Sequence, residues 1–169
     1  GLKCKVEPGG ATLTSDSTVT DLLGCHLHLG AASHVLIRCG EPFAARGLAE
    51  LKRKVAQLPW NNFLKKNLPL QVRVSSKKSK LYHTTSIRTA VIDGINEALK
   101  SSDPGCSEAV SHATSDTENV LHLVVRVEKD EVHLSVDTSQ TPIHKRGYRL
   151  ETAKAPLRED LAYAKLYSS

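Results

Sequence analysis

Apolar residues recur along this chain at two spacings, and the switches between them mark out its elements. Leu70, Val72 and Val74 alternate with Gln71 and Arg73 behind Pro69, the two-residue period of a strand with one buried face. From Ser86 to Lys100 the period lengthens: Ile87, Ala90, Val91, Gly94, Ile95, Ala98 and Leu99 form one helical stripe that Thr84 or Thr85 can cap. Leu121 to Val127 and Val132 to Val136 return to strand spacing around the two-residue turn Lys129-Asp130. That turn pairs Val127 with Val132, Val125 with Leu134 and Leu123 with Val136 on a buried face. It pairs Arg126 with His133 and His122 with Asp137 outside.

Earlier in the chain the same logic predicts strands at Lys3 to Glu7 and Ala11 to Thr14 around Pro8-Gly9-Gly10, and a helix from Thr18 to Leu29 opened by Ser17. A strand follows at Val35 to Arg38. Leu48, Leu51, Val55 and Leu58 place a helix over Ala45 to Leu58, stopped by Pro59. Ser75 to Lys80 reads as a flexible polar segment, and Ser101 to Asn119 as a long loop. Strands and helices alternating in this way give an α+β fold with antiparallel or mixed sheets.

Charge adds more than the net value of +5 suggests. Between Leu51 and Ile92 stand Lys52, Arg53, Lys54, Lys65, Lys66, Arg73, Lys77, Lys78, Lys80 and Arg88, with no carboxylate. From Ser101 to Gln140 acids dominate, and Lys145, Arg146 and Arg149 then restore positive charge. Such segregation builds a positive region suited to a polyanion; the plainer alternative is a solvated basic face with no partner. No apolar run approaches the roughly 20 residues that cross a bilayer, so a membrane is not an expected partner.

The 169 residues contain 40% hydrophobic side chains, enough for a core, and no Met, which points to a trimmed or recombinant piece. Cys4, Cys25, Cys39 and Cys106 show no Cys-x-x-Cys spacing, as expected in a reducing intracellular compartment. Cys25, His26 and His28 are the one local cluster of metal-ligating types, but on a helix such neighbours diverge, so no metal is expected. None of the ten glycines forms Gly-x-Gly and all seven prolines are isolated. The chain therefore lacks both a familiar nucleotide loop and the Asn/Asp-Pro-Pro-aromatic loop of amino methyltransferases. His122 and Asp137 look like a fragment of a catalytic dyad, but without an adjacent nucleophile they are better read as a surface pair.

One string is more specific than any of these. Residues 143–161 read IHKRGYRLETAKAPLREDL, and this stretch resembles the junction between an RNA-binding THUMP domain and the catalytic domain in a family of RNA guanine methyltransferases. Further landmarks of that family stand in family order at Val6-Glu7-Pro8-Gly9-Gly10, at 32–38, at Leu58-Pro59-Trp60, at 78–84 and at Val136-Asp137-Thr138-Ser139. The Arg-Gly-Tyr-Arg form of the junction is most similar to the members that act on large-subunit ribosomal RNA. The resemblance implies a THUMP domain over residues 63–150, preceded by a partial ferredoxin-like domain with its connecting helix over 1–62. Residues 151–169 would be a linker into a methyltransferase domain that the chain does not contain. It also implies that the chain itself is not an enzyme, that S-adenosylmethionine serves the parent protein, and that the partners are structured RNA, ribosomal rather than transfer RNA, and the C-terminal catalytic domain. This chain departs from the family at Gly30 and His34, where Arg is common, and at Lys165, where small or apolar residues are usual.

Lys77, Lys78 and Lys80, with Arg73 on the strand before them, are the candidates for phosphate contact. They lie just ahead of a helix N-terminus, which itself attracts anions. Tyr82 either stacks on a base or anchors the connection on the sheet, and His83 either stacks or makes a structural hydrogen bond. Lys145, Arg146 and Arg149 either touch RNA or tie neighbouring domains together. Arg158 and Glu159 are assigned a structural or interdomain role. Two rival readings remain: a stand-alone ribosome-associated RNA-binding factor without catalysis, and a basic module that binds an acidic protein.

Overall fold

The structure is a computed structural model that describes residues 3–7, 9–64, 69–102, 120–139, 141–147 and 157–167. Its contacts divide the chain into two compact units, one formed by Gly1–Val35 with Thr141–Ser169 and the other by Leu36–Gln140. The second contains a mixed sheet and two helices.

In the second unit, β3 (Leu36–Arg38), β4 (Phe43–Ala44), β5 (Leu70–Lys77), β6 (Leu121–Glu128) and β7 (Glu131–Asp137) form one sheet in the order β3-β7-β6-β5, with β4 also pairing β7. β6 and β7 are antiparallel in the register that the turn length dictates: Val127 faces Val132, Val125 faces Leu134, Leu123 faces Val136 and Arg126 faces His133. Lys129 and Asp130 both take positive φ, 52° and 64°, the geometry of a type I′ turn whose twist suits a two-residue hairpin. β5 runs parallel to β6, so the chain must cross over between them, and α3 (Thr84–Ser102) belongs to that crossover. The loop expected at Ser101 to Asn119 lies mostly outside the described residues.

Apolar side chains from the inner face of the sheet meet α2 (Leu48–Ala56) and α3. Leu70, Val72, Leu123, Val125, Val127, Val132 and Leu134 share one core with Leu51 and Val55 of α2 and Ile87, Val91 and Ile95 of α3. Trp60, on a short 3-10 turn (Trp60–Asn62), closes the end of α2: its indole Nε1 donates to the carbonyl oxygen of Val55 at 2.7 Å. The same carbonyl also accepts the Leu58 amide at 3.2 Å, so side chain and main chain together close the C-terminal end of the helix.

Several boundaries differ from expectation for local reasons. α2 begins at Leu48 rather than Ala45, because Phe43 and Ala44 pair with β7 and the Ala45 amide donates to the Asp130 carbonyl. β5 runs on to Lys77, so Ser75 to Lys77 is ordered strand and not flexible segment: each of its residues has a partner on β6. His122 and Asp137 pair as expected, yet Asp137 is buried and its Oδ1 accepts the Ser139 amide, so they are not a surface pair.

The first unit contains the hairpin of β1 (Lys3–Glu7) and β2 (Gly10–Thr14), α1 (Thr18–His28) and α4 (Glu159–Tyr167). Ser17 is the residue before α1 but makes no side-chain cap; its amide donates to Ser15 Oγ, which in turn donates to Asp21 in the first turn. The start of α4 is held by Asp160, which is only 4% exposed and accepts two bonds from Arg158, one from Ser33 and one from the Leu161 amide. Gly30 lies against the ring of Tyr163, where an added Cβ would stand 2.3 Å from Cδ2. A side chain at this position would therefore displace that ring. Among the described residues no helix is long and apolar enough to cross a membrane.

Candidate nucleic-acid interface

Alternation along β5 determines what the second unit shows to solvent. Leu70 and Val72 are buried, so Arg73, Ser75 and Lys77 must point from the opposite face, and all three are exposed. Parallel pairing sets Ser75 beside Arg126 of β6, which in turn stands beside His133 of β7. Arg126 thereby joins Arg73 and Lys77 on one face. The hairpin register alone placed Arg126 beside His133, but its link to Arg73 needs the parallel pairing, which no local pattern announces.

Beyond Lys77 the chain turns sharply. Lys78 has φ 51°, and the connection over residues 78–83 is fastened at several points before α3 begins. Ser79 Oγ and the Lys80 amide both donate to Asp130 Oδ1 at 2.8 Å, the Leu81 amide donates to Ser79 Oγ at 3.1 Å, and Ser76 Oγ donates to the Leu81 carbonyl. Leu81 is the apolar anchor, 6% exposed and part of the core. Tyr82, one of two readings of which made it the anchor, is instead 67% exposed. Its ring lies 4.0 Å from that of His83, centroid to centroid, at 42°. The His83 carbonyl accepts the Ile87 amide, so His83 serves the start of α3 through its main chain while its ring stays exposed.

Lys77, Lys78, Lys80, Tyr82, His83 and Arg73 thus belong to one strand and the connection that leaves it. Among the described residues none of these four cations forms an ion pair. Two members of the basic stretch are spent locally: Lys52 pairs with Glu97 at 3.1 Å and Lys54 with Glu50 at 2.7 Å. Within the positive region expected of the chain, the β5–α3 connection and the outer strand face carry Arg73, Lys77, Lys78 and Lys80 exposed. Arg46 adds a cation that the sequence reading overlooked, its Nε 3.9 Å from Asp130 Oδ2. Asp130 sits among donors, and those hydrogen bonds from Lys80 and Ser79 hold its carboxyl below the usual carboxylate range.

The remaining candidates fall in the first unit. Lys145 is exposed. Arg146 directs its guanidinium to the C-terminal end of α1, donating to the carbonyls of His26 at 2.8 Å, Leu27 at 2.9 Å and Leu29 at 3.3 Å. A cation at the negative end of a helix dipole is favourable, so Arg146 has a structural task in its own unit. Arg149, Lys65 and Lys66 lie outside the described residues.

Comparison with known proteins agrees with this layout. The THUMP domain family matches residues 45–137, which span α2, β5, the basic connection, α3 and the hairpin. The chain is 27% identical over 164 residues to the candidate RNA methyltransferase YpsC of Bacillus subtilis, covering 97% of this chain and 41% of YpsC. It is 30% identical over 138 residues to the ribosomal RNA large subunit methyltransferase K/L of Syntrophotalea carbinolica, covering 79% of this chain and 18% of that protein. Among solved structures, a protein from Listeria monocytogenes described as an N6-adenine-specific DNA methylase by prediction superposes with a TM-score of 0.86 at 30% identity, over 99% of this chain and 42% of that one. SMU.472, a candidate methyltransferase solved in complex with SAH, gives 0.82 at 28% identity. The chain thus spans less than half the length of each of these proteins. With more than half of its residues matching one domain family, and with the sheet, helices and connection of that match described above, this chain belongs to the THUMP domain family of RNA methyltransferases.

Proposed function

We propose that this chain is the RNA-binding portion of an S-adenosylmethionine-dependent RNA methyltransferase that grips structured RNA, ribosomal rather than transfer RNA, and presents a guanine to a catalytic domain. The observation that carries the reading is the β5–α3 connection. It is the place where a nucleotide-binding unit would have a glycine-rich loop, and here residues 75–84 read SSKKSKLYHT, with Lys77, Lys78 and Lys80 exposed. Lysines, serine hydroxyls and a helix N-terminus suit the phosphates of a nucleic acid, and the exposed rings of Tyr82 and His83 suit an unstacked base or a free end. With 4% aromatic residues the chain has few platforms for reading sequence by stacking. Shape and phosphate are then its main signals.

The sequence has neither a Gly-x-Gly loop nor an Asn/Asp-Pro-Pro-aromatic loop, and the methyl donor is assigned in this reading to the catalytic domain. Ribosomal RNA as substrate is supported by the name of the K/L relatives, and the methyl donor by the SAH bound to SMU.472. Filter-binding titrations against a ribosomal RNA fragment, transfer RNA, duplex DNA and an acidic peptide test the reading. Structured RNA should bind most tightly, and Lys77→Ala, Lys78→Ala or Lys80→Ala should each reduce the slope of log affinity against log salt by roughly 0.7–0.9 per lost phosphate contact. Equal binding to the acidic peptide, or a slope indifferent to these changes, overturns it.

A further inference from the structure

We propose that Asp130 is a positioning residue for the RNA contact: its carboxylate holds the connection over residues 78–83 in the shape that presents Lys78, Lys80 and Tyr82 outward. The claim rests on the RNA-binding reading above but makes an opposite prediction from charge alone. Asp130 is a carboxylate beside the cations Lys80 and Arg46, and in an electrostatic patch such a group only repels phosphate. Its geometry shows another task. Oδ1 takes both the Ser79 hydroxyl and the Lys80 amide at 2.8 Å, and Ser79 in turn takes the Leu81 amide, so consecutive peptide units are fixed from one oxygen atom. Oδ2 faces Arg46 at 3.9 Å. The carboxylate itself is rigidly mounted, because Asp130 is the second residue of the β6–β7 turn and its carbonyl accepts the Ala45 amide at 2.8 Å. A connection whose main chain is already ordered loses less freedom when it meets its ligand.

The position also offers a clean test. At φ 64° glycine is at least as comfortable as aspartate, so Asp130→Gly removes the carboxylate without straining the turn. Full-length chain carrying Asp130→Gly, Asp130→Asn, Glu131→Gln, Lys78→Ala or Lys80→Ala would be titrated with a ribosomal RNA hairpin bearing a single-stranded 3′ tail, at several salt concentrations. Asp130→Gly should bind about three- to tenfold more weakly than the parent chain although it has lost a negative charge, with a smaller salt slope, when each variant is titrated well below its thermal midpoint. Asp130→Asn, which keeps one acceptor oxygen, should fall between. Glu131→Gln removes an exposed carboxylate from the same hairpin without touching the connection, and should leave binding equal or slightly tighter. Amide exchange at Lys80 should accelerate in Asp130→Gly and not in Glu131→Gln. If Asp130→Gly binds as tightly as Glu131→Gln while Lys78→Ala and Lys80→Ala weaken binding, the positioning role is wrong and the contact surface stands. If the lysine variants bind normally too, both fall.

Discussion

Gly94 of α3 lies so close to α2 that a Cβ there would stand 2.7 Å from the carbonyl oxygen of Lys52 and 3.0 Å from Val55 Cγ1. The nearest atom is main chain and cannot swing aside. Gly94→Ala should therefore force the helices apart and cost about 1–3 kcal/mol by overpacking, more than the helix propensity of alanine returns. Trp60 is the one tryptophan and is buried behind α2, so its fluorescence in a urea titration reports this unit directly. An unchanged midpoint would show that the helices do not meet as described.

Leu81 takes the anchoring role that was one of two alternatives for Tyr82, and Tyr82 is left exposed. Leu81→Ala should cost about 2–4 kcal/mol of stability as a buried core truncation, whereas Tyr82→Leu should stay within about 0.5 kcal/mol. RNA affinity should fall with Tyr82→Leu by about 1–3 kcal/mol if its ring stacks on a base, as the proposed function requires. Paired melting and filter-binding measurements on the two variants check both halves.

Asp160 gives the first unit an acid sensitivity whose sign is fixed. The Arg158 guanidinium beside it, with the Leu161 amide and Ser33 hydroxyl, holds its carboxyl far below the ordinary range. A depressed folded value means that the stabilisation is complete above about pH 3.9, the unfolded pKa, and is lost as pH falls towards the folded one. Asp160→Asn should accelerate exchange of the Leu161 amide at neutral pH, and its difference from the parent chain should narrow as pH drops from about 5 towards 2. A constant difference across that range would contradict the assignment.

Cys39 is buried beside β7, its amide bonded to the Leu134 carbonyl, and burial pushes its thiol up to about 12. Cys4 is exposed. At pH 8 a maleimide should modify Cys4 promptly and Cys39 about a thousandfold more slowly, with Cys39 released only by denaturant. Mass spectrometry of the labelled peptides distinguishes them.

Much of the second unit was legible because its signals are local. The β6–β7 register follows from a two-residue turn, and every predicted pair from Val127–Val132 to His122–Asp137 is present. The apolar stripe of α3 reads directly as Ile87, Val91 and Ile95 in the core. Other assignments depended on distant partners. Ser75 to Lys77 looks like loop by composition, yet β6 supplies backbone partners and extends the strand. Lys52 and Lys54 look like open cations until Glu97 and Glu50 are placed beside them. Arg146 looks like a free cation in a basic run, although its donors face α1.

Alternation and turn length specify hydrogen-bonding neighbours only a few residues apart, so the sequence by itself determined the hairpin, the long helix, the α+β class and the location of the basic connection. Tertiary structure decided that β5 runs parallel to β6 and which cations remain unpaired. It also brought Asp130, 50 residues away, to fasten Lys80. Those outcomes depend on loop closure and side-chain packing between separated segments, for which the order of residues carries no local period.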